Sequence, residues 1–208
     1  MLTTIYFIRH ARTYNPKHII KGLLPGFKLT KAGQQEVEKL GKYLKTKPIT
    51  KIFYSPLLRT KQTATIIKKY LPHAKLVPDK RLIEWQTAWE GLTIQQVKAL
   101  AKMHWDLYHE NPLKFKTAKG PTARQVVRQI NSFTKMVLKK FPDQEIVAIS
   151  HGDPIKLYRC YLETKKISKK FLIYPCTQPS STAFVFKNGK FQKTLYKSFI
   201  KKQRYFIQ

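Results

Sequence analysis

Residues 145–154 read EIVAISHGDP. Four apolar residues in the first six suit a strand covered on both faces, the usual condition of a strand in a parallel sheet. Asp153-Pro154 then reads as a helix start, because aspartate caps free N–H groups and proline's fixed φ suits the first helical position. Strand followed at once by helix is the unit of an α/β fold, and the same unit recurs along the chain. Thr4–Ile8 (TIYFI) is a short β-rich run, and Lys51–Tyr54 is another, followed by Ser55-Pro56 as cap and first position of a helix to about Tyr70. Between them Thr30 caps a helix running to about Leu44, with Val37, Leu40 and Leu44 at helical spacing. Lys75–Val77 reads as a further strand. TIQQ from Thr93 and TARQ from Thr122 are capping-box patterns, the second opening a helix to about Phe141. The runs Thr182–Phe186 and Phe191–Leu195 flank Asn188-Gly189, a hairpin signal. These units predict an α/β sandwich with a mainly parallel sheet. No repeat or linker divides the 208 residues, so one domain over 1–208 is expected, with an irregular insertion at about 78–120 shaping the substrate pocket.

Bulk properties narrow the function less than the site does. With 42% hydrophobic residues the chain is expected to fold, and no apolar run reaches the length of a membrane span. The start, MLTTIYFIRHAR, has a short apolar stretch and no small-residue cleavage site. Two cysteines, Cys160 and Cys176, provide neither a disulfide framework nor zinc spacing, so a cytoplasmic protein is expected. Lys plus Arg number 41 against 11 acids, a net charge of +30. That field attracts anions, nucleic acid among them. Yet the basic residues are spread along the whole chain, and no nucleic-acid-binding motif accompanies them, so a polyanion-binding role is the less favoured reading.

Ligand sites in open α/β sheets form beyond the carboxyl ends of the strands. Three predicted strands end on residues of complementary chemistry: the first on Arg9-His10, the second on SPLLRT with Arg59, and EIVAIS on His151-Gly152. An imidazole that attacks phosphorus must be neutral, and a neighbouring guanidinium disfavours the imidazolium. Arg9 and Arg59 each offer a planar fork for phosphate oxygens, and Arg59 lies in a first helical turn, where backbone N–H groups favour an anion. Glu84, in RLIEWQTAWEG, sits among apolar neighbours and would face a bound phosphate; both effects raise a carboxyl pKa toward that of a general acid. Glu90 in the same segment competes for this role. Asp153 is read as a helix cap. His10 and His151 lack a local HxxxH pattern, and no metal or cofactor is expected.

The combination of RHART, LTKAG, SPLLRTKQTA, LIEWQTAWEG and SHGD resembles the histidine phosphatase superfamily, or phosphoglycerate mutase-like family, over nearly the whole chain. The resemblance implies a three-layer α/β/α sandwich around a mostly parallel sheet. It implies that His10 is transiently phosphorylated, that Arg9, Arg59, His151 and Gly152 hold the phosphoryl group, and that Glu84 is the proton donor. Asn15 corresponds to the family's phosphate-side asparagine. The chain departs from the pattern at Ala11, which replaces a glycine, and at Arg12, where an acidic residue or Gln often stands. Lys21 replaces a Gln before Gly22, and the segment after Glu84 lacks a frequent glycine. Arg12 and Lys21 add positive charge at the expected mouth, so a substrate with more than one anionic group is expected. The function implied is hydrolysis of a small phosphomonoester, with phosphoglycerate mutase-type transfer as the alternative.

Overall fold

The computed structural model describes residues 1–118 and 120–200. Among them the order of elements is β1 (Leu2–Arg9), α1 (Lys31–Leu44), β2 (Ile49–Tyr54), α2 (Leu58–Tyr70) and β3 (Lys75–Pro78). Two short helices come next, α3 (Ile94–Leu100) and α4 (Lys102–Glu110), then α5 (Ala123–Lys140), β4 (Glu145–Ser150) and α6 (Gly152–Thr164). The hairpin β5 (Ser180–Lys187) and β6 (Lys190–Ser198) closes the order. The strands form one sheet in the order β3-β2-β4-β1-β5-β6. The first four are mutually parallel, β5 runs antiparallel to β1, and β6 pairs antiparallel with β5. The mostly parallel sheet is therefore as expected, with the hairpin supplying its antiparallel edge.

The layering follows from the two-residue period of the strands. Ile5 and Phe7 of β1, with Ile146 and Ala148 of β4, join the core that packs under α5 and α6. Their alternates Tyr6, Ile8, Val147 and Ile149 join a second core under α1 and α2. Each helix presents one apolar stripe to its side: Val37, Leu40 and Leu44 from α1, and Val126, Ile130, Phe133 and Val137 from α5. Helices on both faces of the sheet make three layers. Phe133 packs edge-on against Phe7 and Phe53, with ring centres 6.0 and 5.3 Å away. Burying such a ring contributes about 1.5–3 kcal/mol, and Phe133→Ala, which also leaves a cavity, costs about 3–5 kcal/mol.

Thr30 caps α1 as expected, its hydroxyl accepting the Gly33 N–H at 3.0 Å. Both capping boxes form, at Thr93 and Thr122. Two caps read from sequence are corrected. Ser55 does not cap α2; that helix starts at Leu58 with Leu57 as its cap residue, and the Ser55 hydroxyl is engaged by His151. Asp153 does not cap α6, whose cap residue is His151; Asp153 lies inside the first turn and accepts the Tyr108 hydroxyl at 2.9 Å. In both cases the cap-then-proline reading located the helix but assigned the polar side chain to its own helix, when a residue distant in sequence engages it instead.

Candidate active site

Strand register brings the sequence-predicted groups together. Arg9 of β1 pairs with Ser150 of β4, so the next residues, His10 and His151, leave adjacent strand ends side by side. The ladder continues through His10 N–H to the Ser150 carbonyl, 3.2 Å, and Ser55 N–H to the Ile149 carbonyl, 2.9 Å. The two imidazole rings lie 5.2 Å apart between centres, both buried.

His10 Nδ1 lies 2.7 Å from the Ala11 carbonyl oxygen. A carbonyl can only accept, so the neutral ring carries its proton on Nδ1 and keeps the Nε2 lone pair free. Burial, then the charges of Arg59, Lys21 and Arg9, hold the ring's pKa well below 6.5. Burial and the same cations also push His151 down; its Nε2 lies 2.9 Å from Ser55 Oγ. Its Nδ1 is buried without a hydrogen-bond partner among the described residues, 3.7 Å from a Glu84 carboxylate oxygen.

Around these rings stand cations that make no salt bridge among the described residues. Arg59, 2% exposed, donates from Nη2 to the Gly22 carbonyl at 2.7 Å, and Arg9 donates from Nη1 to the Cys176 carbonyl. The Nε of each is buried and unpartnered among the described residues. Gly152 sits against Arg9: a Cβ there would lie 3.1 Å from the guanidinium carbon, so the missing side chain makes room for the arginine at the start of α6. Lys21 donates to Thr13 Oγ1 at 2.8 Å, and its burial beside Arg59 and Arg9 lowers its pKa to about 8. Buried donors and charges left unpaired are costly, which suits this corner to an anion.

Glu84 completes the group. It lines the same cavity of about 440 Å³ as Arg9, Arg59 and Lys21, and accepts the Trp85 N–H at 2.9 Å. Burial and the neighbouring Asp153 raise its pKa to about 7, against the opposing pull of Arg59 and Arg9. Glu90 is occupied elsewhere: its carboxylate accepts the Leu23 N–H at 2.9 Å and packs against Gly22, whose φ of +44° a side chain would strain.

Of the expected site residues, Arg9, Arg59, Lys21 and Glu84 line this cavity, whereas His10, His151, Gly152, Arg12 and Asn15 are not on its lining, and the last two are held by other partners. Arg12 is gripped by Glu36 of α1, Nη2 to Oε1 at 2.6 Å and Nε to Oε2 at 3.2 Å. The Asn15 amide closes its own loop, donating to the Ile19 carbonyl at 2.9 Å and accepting the Ile19 N–H at 3.3 Å. Sequence reasoning passed over Trp89, Trp105, Tyr108, His109 and Lys156, which all line the cavity. The density of aromatic residues between 85 and 108 was the available signal.

The sequence matches the family described as histidine phosphatase superfamily (branch 1) over residues 5–198. Among relatives, it is 26% identical over 181 residues to phosphoserine phosphatase 1 of Hydrogenobacter thermophilus, covering 86% of this chain and 84% of that one. It is 32% identical over 158 residues to the probable fructose-2,6-bisphosphatase TIGAR A of Danio rerio, covering 72% of this chain and 56% of that one. Among solved structures, Bacillus stearothermophilus YhfR superimposes with a TM-score of 0.84 at 22% identity, covering 91% of this chain and 94% of that one.

Proposed function

The chain belongs to the histidine phosphatase superfamily, and we propose that it hydrolyses a small phosphomonoester through a phosphohistidine formed on His10. The observation that carries this reading is a neutral His10 with Nε2 free, set beside three cations that make no salt bridge among the described residues. Arg9, Arg59 and Lys21 bind the phosphoryl oxygens and take up the charge that spreads over them in the transition state. His10 Nε2 attacks phosphorus as the ester P–O bond breaks, and the Nδ1 hydrogen bond to Ala11 steadies the positive ring that results. Protonated Glu84 gives its proton to the departing oxygen, and the alcohol leaves. Water then attacks phosphorus, Glu84 takes up its proton, the P–N bond breaks and inorganic phosphate is released. His151 fills the space between Ser55 and the bound phosphoryl group, and the segment at about 78–120 caps the pocket of a single domain. The phosphatase names of two relatives support hydrolysis over mutase-type transfer.

The test is labelling. Incubation with a ³²P-labelled phosphomonoester in the presence of a chelator, followed by denaturing quench, should leave acid-labile phosphate on His10, and His10→Ala should abolish both label and turnover. Turnover that is lost only on metal removal, or that survives in His10→Ala, would overturn the mechanism.

A further inference from the structure

Besides the three cations the cavity has an aromatic lining. Much of it is a set of rings drawn from residues 85–89 and from α4: Trp85, Trp89, Trp105, Tyr108 and His109. Trp89 lies 5.9 Å from Trp105 and 5.5 Å from Tyr108 between ring centres, and the Trp105 and His109 rings sit 4.2 Å apart. Each ring braces its neighbours, so the wall is a stiff apolar surface suited to flat partners.

Within this lining one buried polar atom has no hydrogen-bond partner among the described residues. The Trp85 indole N–H donates to the Pro121 carbonyl at 2.7 Å. The Trp89 indole, in a side chain only 5% exposed, has no hydrogen-bond partner for Nε1 among the described residues. A buried N–H without an acceptor is unfavourable, and a ligand atom that supplies one recovers the loss. The expectation of a second anionic group on the substrate rested on Arg12 and Lys21. Arg12 is held by Glu36 outside the cavity, and Lys21 stands with Arg9 and Arg59 at the phosphate end. Lys156, the remaining lysine on the lining, lies 3.4 Å from Asp153. The lining cations without a salt bridge among the described residues are therefore Arg9, Arg59 and Lys21, and much of the remaining lining is aromatic.

We infer that the alcohol released by this enzyme carries a flat ring that packs against Trp89 and Trp105 and bears a hydrogen-bond acceptor for the Trp89 N–H. The inference rests on the phosphomonoesterase reading and names its substrate class: phosphate esters of heteroaryl-bearing alcohols, in preference to acyclic hydroxy acids or polyols.

Three phosphate esters of primary alcohols test it: glycerol 3-phosphate, benzyl phosphate and pyridin-3-ylmethyl phosphate, with phosphate release followed at pH 7. kcat/KM for the benzyl ester should exceed that for glycerol 3-phosphate by about tenfold, and the pyridyl ester should add about fivefold more. Trp89→Phe, which keeps a ring and deletes the N–H, should erase the pyridyl advantage and keep the benzyl one. Trp105→Ala, a change in a half-buried residue, should shrink the benzyl advantage and keeps the test decisive if Trp89→Phe does not fold. Turnover of all three esters at similar kcat/KM overturns this inference and leaves the phosphatase reading intact, as does a ring preference that neither variant alters. No phosphate release from any of the three overturns both.

Discussion

Replacing Glu84 with glutamine keeps the shape of the side chain and removes its proton. At the ordinary carboxyl value of 4.5 only about one Glu84 in 300 would hold a proton at pH 7, whereas at about 7 half of them do. Burial and the nearby Asp153 thus enlarge the supply of usable acid by about 150-fold. General acids of this kind contribute about 10²–10⁴ in rate. Glu84→Gln should therefore lower kcat/KM for an alkyl phosphomonoester by about 10²–10⁴, and for p-nitrophenyl phosphate, whose phenolate departs without a proton, by less than about tenfold. The pH dependence carries the sign. Because the folded-state pKa is raised, the acid form is present below about 7 and is lost as pH climbs through that value. Wild-type rates on the alkyl ester should fall about tenfold per unit above it, and this limb should vanish in the variant. Initial rates of phosphate release on both esters between pH 5 and 9 provide the measurement. Equal slowing of the two esters, or a limb near pH 7 that persists in Glu84→Gln, would refute the assignment of Glu84 as proton donor.

Three other perturbations probe the cation cradle. Lys21 is charged below about 8 and neutral above it, so kcat/KM for both esters should drop further above pH 8; Lys21→Arg should move that limb beyond pH 9, and an unmoved limb would remove Lys21 from phosphate binding. Arg59→Leu should cost about 10²–10³ in kcat/KM yet raise the melting temperature in phosphate-free buffer, because it deletes a buried charge without a salt-bridge partner among the described residues; the gain is about 1–2 kcal/mol, and a fall in melting temperature would contradict it. Gly152→Ala would set a Cβ 3.1 Å from the Arg9 guanidinium carbon; displacing that arginine by a few tenths of an ångström should lower kcat/KM by about tenfold with the melting temperature nearly unchanged, and unaltered kinetics would show that Arg9 need not stay where it lies.

The features legible in the sequence were those that depend on a few neighbouring residues. The Asn188-Gly189 turn between β5 and β6, the Thr30 cap and the Thr93 and Thr122 capping boxes are local, and all stand where they were expected. The convergence of His10, Arg59 and His151 was legible because parallel strands end at one edge, so strand ends alone placed them together. Partner choice among polar side chains was not legible. Ser55 meets His151 across 96 residues, Asp153 meets Tyr108 across 45, and Arg12 meets Glu36 across 24. In each case a short-range reading assigned a cap or a substrate contact, and a long-range partner took the group instead. The aromatic wall was missed for the same reason: Trp89 and Trp105 lie in an irregular stretch and a short helix, where periodicity says little about which ring faces which.

The unpaired cations also bear on product release. On the proposed mechanism, Arg9, Arg59 and Lys21 should meet the phosphate product with the same charges that meet the ester. Free inorganic phosphate should thus compete with substrate, and departure of the ion, helped by the water that refills the corner, should limit the steady-state rate on good esters. An enzyme of the proposed build should run at a pace set by the phosphate around it, with ambient orthophosphate as its throttle.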